Sequence, residues 1–167
     1  HEKISERKCK ASMTNLKFSN EEIKKVSHLV LEHMFYYESV WSDAAVRRFI
    51  IRIGKENFSD LIDLRLADIY GMHNFPIDPN SSTWKNLLEL QKRIQKMEDE
   101  KSALSVKDLC INGKDLMAIG IPSGKQMGLI LNELFETVLD SPSMNEREKL
   151  LTLAKNIYAE KLKFNNA

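Results

Sequence analysis

Apolar residues recur at every third or fourth position through most of the chain, and no stretch of four or more residues alternates apolar and polar as a half-buried strand requires. The period predicts an all-α fold. The opening HEKISERKCKASMTNL already reads like the interior of a helix. Asn20 is placed to cap a helix over Glu21 to Phe35, with Ile23, Val26, Val30 and Met34 on one face. Ser42 or Asp43 caps the next, in which Val46, Phe49, Ile50 and Ile53 keep the i, i+3, i+4, i+7 spacing of a buried face before Gly54 ends it. A further helix is expected from Phe58 to Tyr70, carrying Leu61, Leu64, Leu66 and Ile69 and stopping at Gly71.

The pattern breaks over MHNFPIDPNSS, where two prolines sit among Asn, Asp and Ser. This break predicts a two-lobed helical bundle: a first lobe over residues 1–72, a linker over 73–82 and a tail lobe over 83–167. Past it, Leu87, Leu90, Ile94 and Met97 repeat at three and four in a helix from Thr83 to Lys101. At 1.5 Å per residue that helix would reach roughly 30 Å. In the last third, Asn112-Gly113 marks a turn, while Ser123 with Gln126 and Ser143 with Glu146 form capping boxes. These open two closing helices, one burying Met127, Ile130, Leu131, Leu134 and Val138, the other Leu150, Leu153, Ala154 and Ile157.

Composition narrows the partners less than it narrows the compartment. The 25 basic and 24 acidic residues leave a net charge of +1, so any grip on a polyanion must come from local patches and not from a global field. Cys9 and Cys110 stand far apart with no metal-like spacing, which fits two free thiols in a reducing, cytoplasmic setting. No apolar run approaches the roughly 20 residues of a membrane span, and no signal-peptide pattern opens the chain. The sequence begins with His1 in helix-like sequence, so an N-terminal portion is expected to precede it.

Three features are candidates for chemistry. His33 follows Val30 by three and Val26 by seven, and Asp68 follows Leu64 by four and Leu61 by seven, so both fall where the pattern calls for an apolar residue. A carboxylate on a core face is costly unless it is paired, hydrogen-bonded or metal-bound. Two readings stay open: a buried His–Asp hydrogen bond that orients two helices, or metal ligation and acid–base work. Next, Arg47, Arg48, Arg52 and Lys55 form a basic stripe opposite Phe49 and Ile53. It suits phosphate oxygens, or simply solvent, with Glu56 and Asp60 near enough to neutralise it. Finally, GIPSGKQMG puts Gly120, Pro122, Ser123, Gly124 and Lys125 at a helix start, where free N–H groups and the helix dipole favour an anion. An ordinary tight turn uses the same residues. His28 and His73 read as solvated, Trp41 and Trp84 as core anchors, and no P-loop, GxGxxG or nucleophile constellation is present.

The blocks HEKIS, LKFSNEEIKKVSHLVLEHMF, WSDAAVRRFIIRIGKENFSDLIDLRLADIYG and ALSVKDLCINGKDLMAIGIPSGKQMGLILNELFETVLDSPSMNEREKLLTLA carry a resemblance that spans nearly the whole chain. Together they resemble bacterial CCA-adding tRNA nucleotidyltransferases that carry an HD domain after the polymerase head. The resemblance implies an HD-like first lobe and a helical RNA-binding tail, which hold tRNA for a catalytic head absent from this sequence. It implies ATP, CTP and magnesium for the parent enzyme and no cofactor for these residues. His1, His33 and Asp68 match HD positions, in a variant of the fold that is degenerate and metal-free in many members of this architecture. The blocks holding Arg47, Arg48, Arg52 and Lys55 and holding Gly120, Gly124 and Lys125 resemble RNA-facing surfaces. The implied partners are tRNA and the chain's own head, not a membrane, with a homodimer left open. A metal-dependent HD phosphohydrolase fragment and a non-catalytic helical interaction module remain the alternatives.

Overall fold

Helix is the one kind of regular secondary structure among the described residues. A computed structural model of the chain describes residues 2–73, 78–100 and 102–165, and among these it contains eight α-helices, three 3-10 turns and no strand. The helices are α1 (Glu2–Asn15), α2 (Asn20–Glu32), α3 (Asp43–Ile53), α4 (Phe58–His73), α5 (Ser82–Asp99), α6 (Gly113–Ala118), α7 (Lys125–Asp140) and α8 (Arg147–Asn165). No described helix is long and apolar enough to cross a membrane.

The chain divides into two compact units, His1–Lys96 and Met97–Ala167. The expected linker, 73–82, falls partly outside the described residues, and the units part further on, within α5. The reason lies in what the first three turns of α5 hold: the Asn86 side-chain amide donates to the Tyr37 carbonyl at 3.2 Å, and Arg93 donates to the Tyr37 hydroxyl at 3.0 Å. Leu87, Leu90 and Ile94 are buried as the period predicted.

In the first unit the core gathers Val46, Phe49, Ile50 and Ile53 of α3 with Leu61, Ile62 and Ile69 of α4. Three expectations need correction here. The N-cap of α2 is Ser19, not Asn20: its backbone is extended and its hydroxyl oxygen accepts the Glu22 N–H at 3.3 Å. The Glu22 carboxylate accepts the Ser19 N–H at 2.9 Å in return, closing a capping box. The buried face of α2 is also rotated. Ser27 and Leu29 point inward, while Val26 and Met34 are 36% and 41% exposed. Gly71 does not stop α4, because an interior glycine weakens a helix without breaking it, and the helix runs on to His73.

In the second unit the core is built by Leu116 and Ile121 around α6, by Ile130, Leu134 and Val138 of α7, and by Leu150 and Ala154 of α8. Asn112-Gly113 starts a helix instead of making a free turn. The Asn112 side chain accepts the Lys114 N–H at 2.8 Å, Asp115 accepts the Asn112 N–H at 2.8 Å, and Arg147 donates to the Asp115 carboxylate at 2.6 Å. The Ser143–Glu146 capping box is replaced by a 3-10 turn, Pro142–Met144, since proline fixes φ there, and α8 follows at Arg147.

Ser27 is 1% exposed and its hydroxyl has no hydrogen-bond partner. A buried unpaired hydroxyl opposes folding. Ser27→Ala should therefore raise the stability by about 1 kcal/mol in a denaturant titration; a destabilised variant would mean that the hydroxyl is satisfied in solution.

Candidate functional site

The cations of α3 are set by how that helix begins, ends and is held. Ser42 caps it by accepting the Ala45 N–H at 3.1 Å, and Gly54, at φ 85°, ends it with its N–H on the Ile50 carbonyl. Beneath it Phe35, Phe49, Trp41 and Tyr37 stack in tilted and edge-on pairs with centroids 5.0, 5.6 and 5.4 Å apart. Trp41 is thus half-buried and packed between two aromatic neighbours. From α5, Arg93 reaches across to the Asp43 carboxylate in the first turn of α3 while donating to the Tyr37 hydroxyl, which itself donates to Glu89 at 2.9 Å.

On this scaffold the expected stripe splits. Arg47 turns inward and is only 6% exposed, lying close enough to Asp43 to act on its carboxyl. Arg48, Arg52 and Lys55 stay on the surface. The Arg52 side chain is 57% exposed; its guanidinium lies 5.4 Å from the Phe49 ring centroid, and its Nε is 3.0 Å from the Glu32 carboxylate. With the guanidinium itself more than half exposed, the pair contributes modestly to stability and leaves Arg52 able to meet another anion. Lys3, Glu32 and Arg52 line one open groove of about 370 Å³ between the start of α1 and α3.

In the second unit the loop from Gly120 to Gly124 is anchored at one residue and open at the rest. Ile121 is 1% exposed, with its N–H on the Leu116 carbonyl at 3.0 Å, whereas Pro122, Ser123, Gly124 and Lys125 face outward. Gly120 and Gly124 have φ of 90° and 138°, in the region that favours glycine, and nothing lies within 4 Å of where a Cβ would stand. The Ser123–Gln126 capping box does not form, because Gly124 takes the N-cap position and Ser123 sits one residue too early. No side chain caps α7. Its first N–H groups and Lys125 therefore face the surface together.

His33 and Asp68 do not pair as a buried dyad. His33 is the C-cap of α2, its Nδ1 2.7 Å from the Val30 carbonyl oxygen, and Asp68 accepts from Arg65 of its own helix at 3.1 Å. Both are half-buried. The inward face of α4 runs through Leu61, Ile62 and Ile69, which leaves Asp68 on its flank with Arg65 as the nearer partner. His1 lies outside the described residues, and among those described no three His, Cys, Asp or Glu side chains form a metal-binding group. His28, read as solvated, is half-buried: its Nε2 lies 2.8 Å from the Ile53 carbonyl oxygen, which also accepts from Asn57 at 2.9 Å. Together they cap the end of α3. No local sequence signal marks that role, because its partner is 25 residues away.

The described residues form two all-helical units, with exposed cations on α3 and at an α7 start that no side chain caps. The family described as tRNA nucleotidyltransferase domain 2, putative, matches residues 1–154, and the chain belongs to that family. No curated protein and no solved structure matches it.

The hydrogen bond from Arg93 holds the Asp43 carboxyl below its ordinary value, with Arg47 adding to the effect. A carboxyl lowered in the folded state stabilises it above the usual carboxylate range near pH 4, and that contribution is lost as pH falls through the lowered value. Asp43→Asn should therefore be less stable than the parent near pH 6, with the gap narrowing toward pH 2 in acid titrations followed by circular dichroism. A gap independent of pH would contradict this role.

Proposed function

We propose that this chain is the tRNA-holding region of a CCA-adding nucleotidyltransferase, which positions the RNA for 3′-end addition by a catalytic head outside this sequence. ATP, CTP and magnesium belong, in this reading, to the head. The observation that carries it is the family match over residues 1–154, on a fold that leaves cations exposed at two capped or opened helix ends. The work asked of these residues is electrostatic. Arg48, Arg52 and Lys55 around the end of α3, and Lys125 with the N–H groups at the start of α7, meet phosphate oxygens, while Gly120 and Gly124 leave room for a backbone to approach. Arg47, being buried, acts through Asp43 and the placement of α3 and does not itself touch the RNA. Contacts of this kind bind RNA by backbone and shape and carry little sequence information.

The chain should bind tRNA with an affinity that falls as salt rises, because each phosphate neutralised releases counterions. Arg48→Ala with Lys125→Ala removes two such contacts. It should weaken binding and flatten the logarithmic salt slope by about two units. Binding and slope unchanged in the double variant would count against the reading.

A further inference from the structure

The first helix carries a run of positive charge, most of which has no partner among the described residues. Over residues 2–20, Lys3, Arg7, Lys8, Lys10 and Lys17 face only Glu2 and Glu6. How α1 packs decides where they point. Glu2, Ser5, Glu6, Cys9 and Met13, at the i, i+3, i+4, i+7 and i+11 positions, are its partly covered residues and face α2, and the helix has no buried residue of its own. Lys3, Arg7 and Lys10, spaced by four and three, line one flank beside that contact face, with Lys17 just past the last turn, and all four are exposed. Lys10 pairs with Glu6. Among the described residues, no ion pair or hydrogen bond engages the side chains of Lys3, Arg7, Lys8 or Lys17. A helix that spends four cations on solvent, with one inward side committed to α2, gains nothing for the fold from those charges.

We infer that the exposed flank of α1 carrying Lys3 and Arg7, with Lys17 just past its end, is a phosphate-backbone docking strip for RNA. This rests on the tRNA-binding reading and extends it to a surface on which that reading placed no contact. From Lys3 to the end of α1 at Asn15, beside which Lys17 sits, the strip runs about 18 Å, long enough to span several consecutive phosphates. Lys3 also lines the groove that Arg52 enters, so the strip continues toward the exposed end of α3 within the same unit. The chemistry is that of point charges with no aromatic side chain on that flank, so the strip grips the backbone and reads no bases. An anionic membrane fits less well. The exposed apolar residues Ile4 and Leu16 lie at opposite ends of the helix, about 18 Å apart, and form no continuous apolar stripe for insertion.

The test compares the full chain with Lys3→Gln/Arg7→Gln/Lys17→Gln and with a control that removes the same charge elsewhere, Lys85→Gln/Lys92→Gln/Lys155→Gln. Glutamine keeps the helix propensity, and circular dichroism checks that each variant folds. The α1 variant should bind tRNA about ten- to a hundredfold more weakly near 0.1 M salt, with a salt slope flatter by two to three units. The control should show at most the small loss that net charge alone imposes. If the parent chain binds tRNA and the α1 variant binds it as the control does, the strip is overturned while the tRNA reading stands. A parent chain that fails to bind tRNA removes both. Equal tRNA binding combined with α1-dependent binding to phosphatidylglycerol vesicles would likewise overturn the inference, in favour of a membrane surface.

Discussion

Whatever this chain does with a polyanion depends on which of its cations the fold has already neutralised. With 25 basic residues against 24 acidic, there is no long-range field to gather RNA, and each phosphate contact needs a cation that the fold leaves available. The structure sorts them by packing. Arg93 and Arg47 go inward around Asp43, and Arg65 is taken by Asp68. Arg52 pairs with Glu32 and lies against Phe49 while its own side chain stays more than half exposed, and Lys3, Arg7, Lys8, Lys17 and Lys125 stay on the surface.

The inward group makes the outward group possible. Arg93 joins α5 to the first turn of α3 and to Tyr37, while His28 and Asn57 share the carbonyl at the other end of α3. A helix held at both ends and packed on an aromatic cluster presents Arg48 and Arg52 from a fixed frame, so fewer side chains must be ordered when a ligand arrives. In the second unit Ile121 plays the corresponding part: its burial pins the loop from which Gly124 and Lys125 emerge.

Much of this was legible in the sequence. The all-α fold, the bounds of α3 and the seam of α5 follow from apolar spacing, a serine cap and a glycine stop, all of which act over a few residues. Some of the errors arise from a distant partner, others from a local competitor that the pattern did not rank. Arg47 looked like its neighbours until α5 brought Arg93 to Asp43. His28 looked solvated until the end of α3 met it, and Asp68 looked orphaned although Arg65 was three residues away. Ser123 had the composition of a cap but lost the position to Gly124, whose backbone reaches a φ that serine rarely adopts. The cations of α1 were visible, but only the side on which α2 packs separates an outward strip from scattered charge.

Lysine acetylation footprinting, read residue by residue with mass spectrometry on the chain alone and with tRNA, tests the electrostatic account most directly. Bound tRNA should protect Lys3, Lys17 and Lys125 from the reagent while Lys85 and Lys155, which are also exposed, keep their reactivity. Saturating tRNA that leaves all five lysines equally reactive would contradict it.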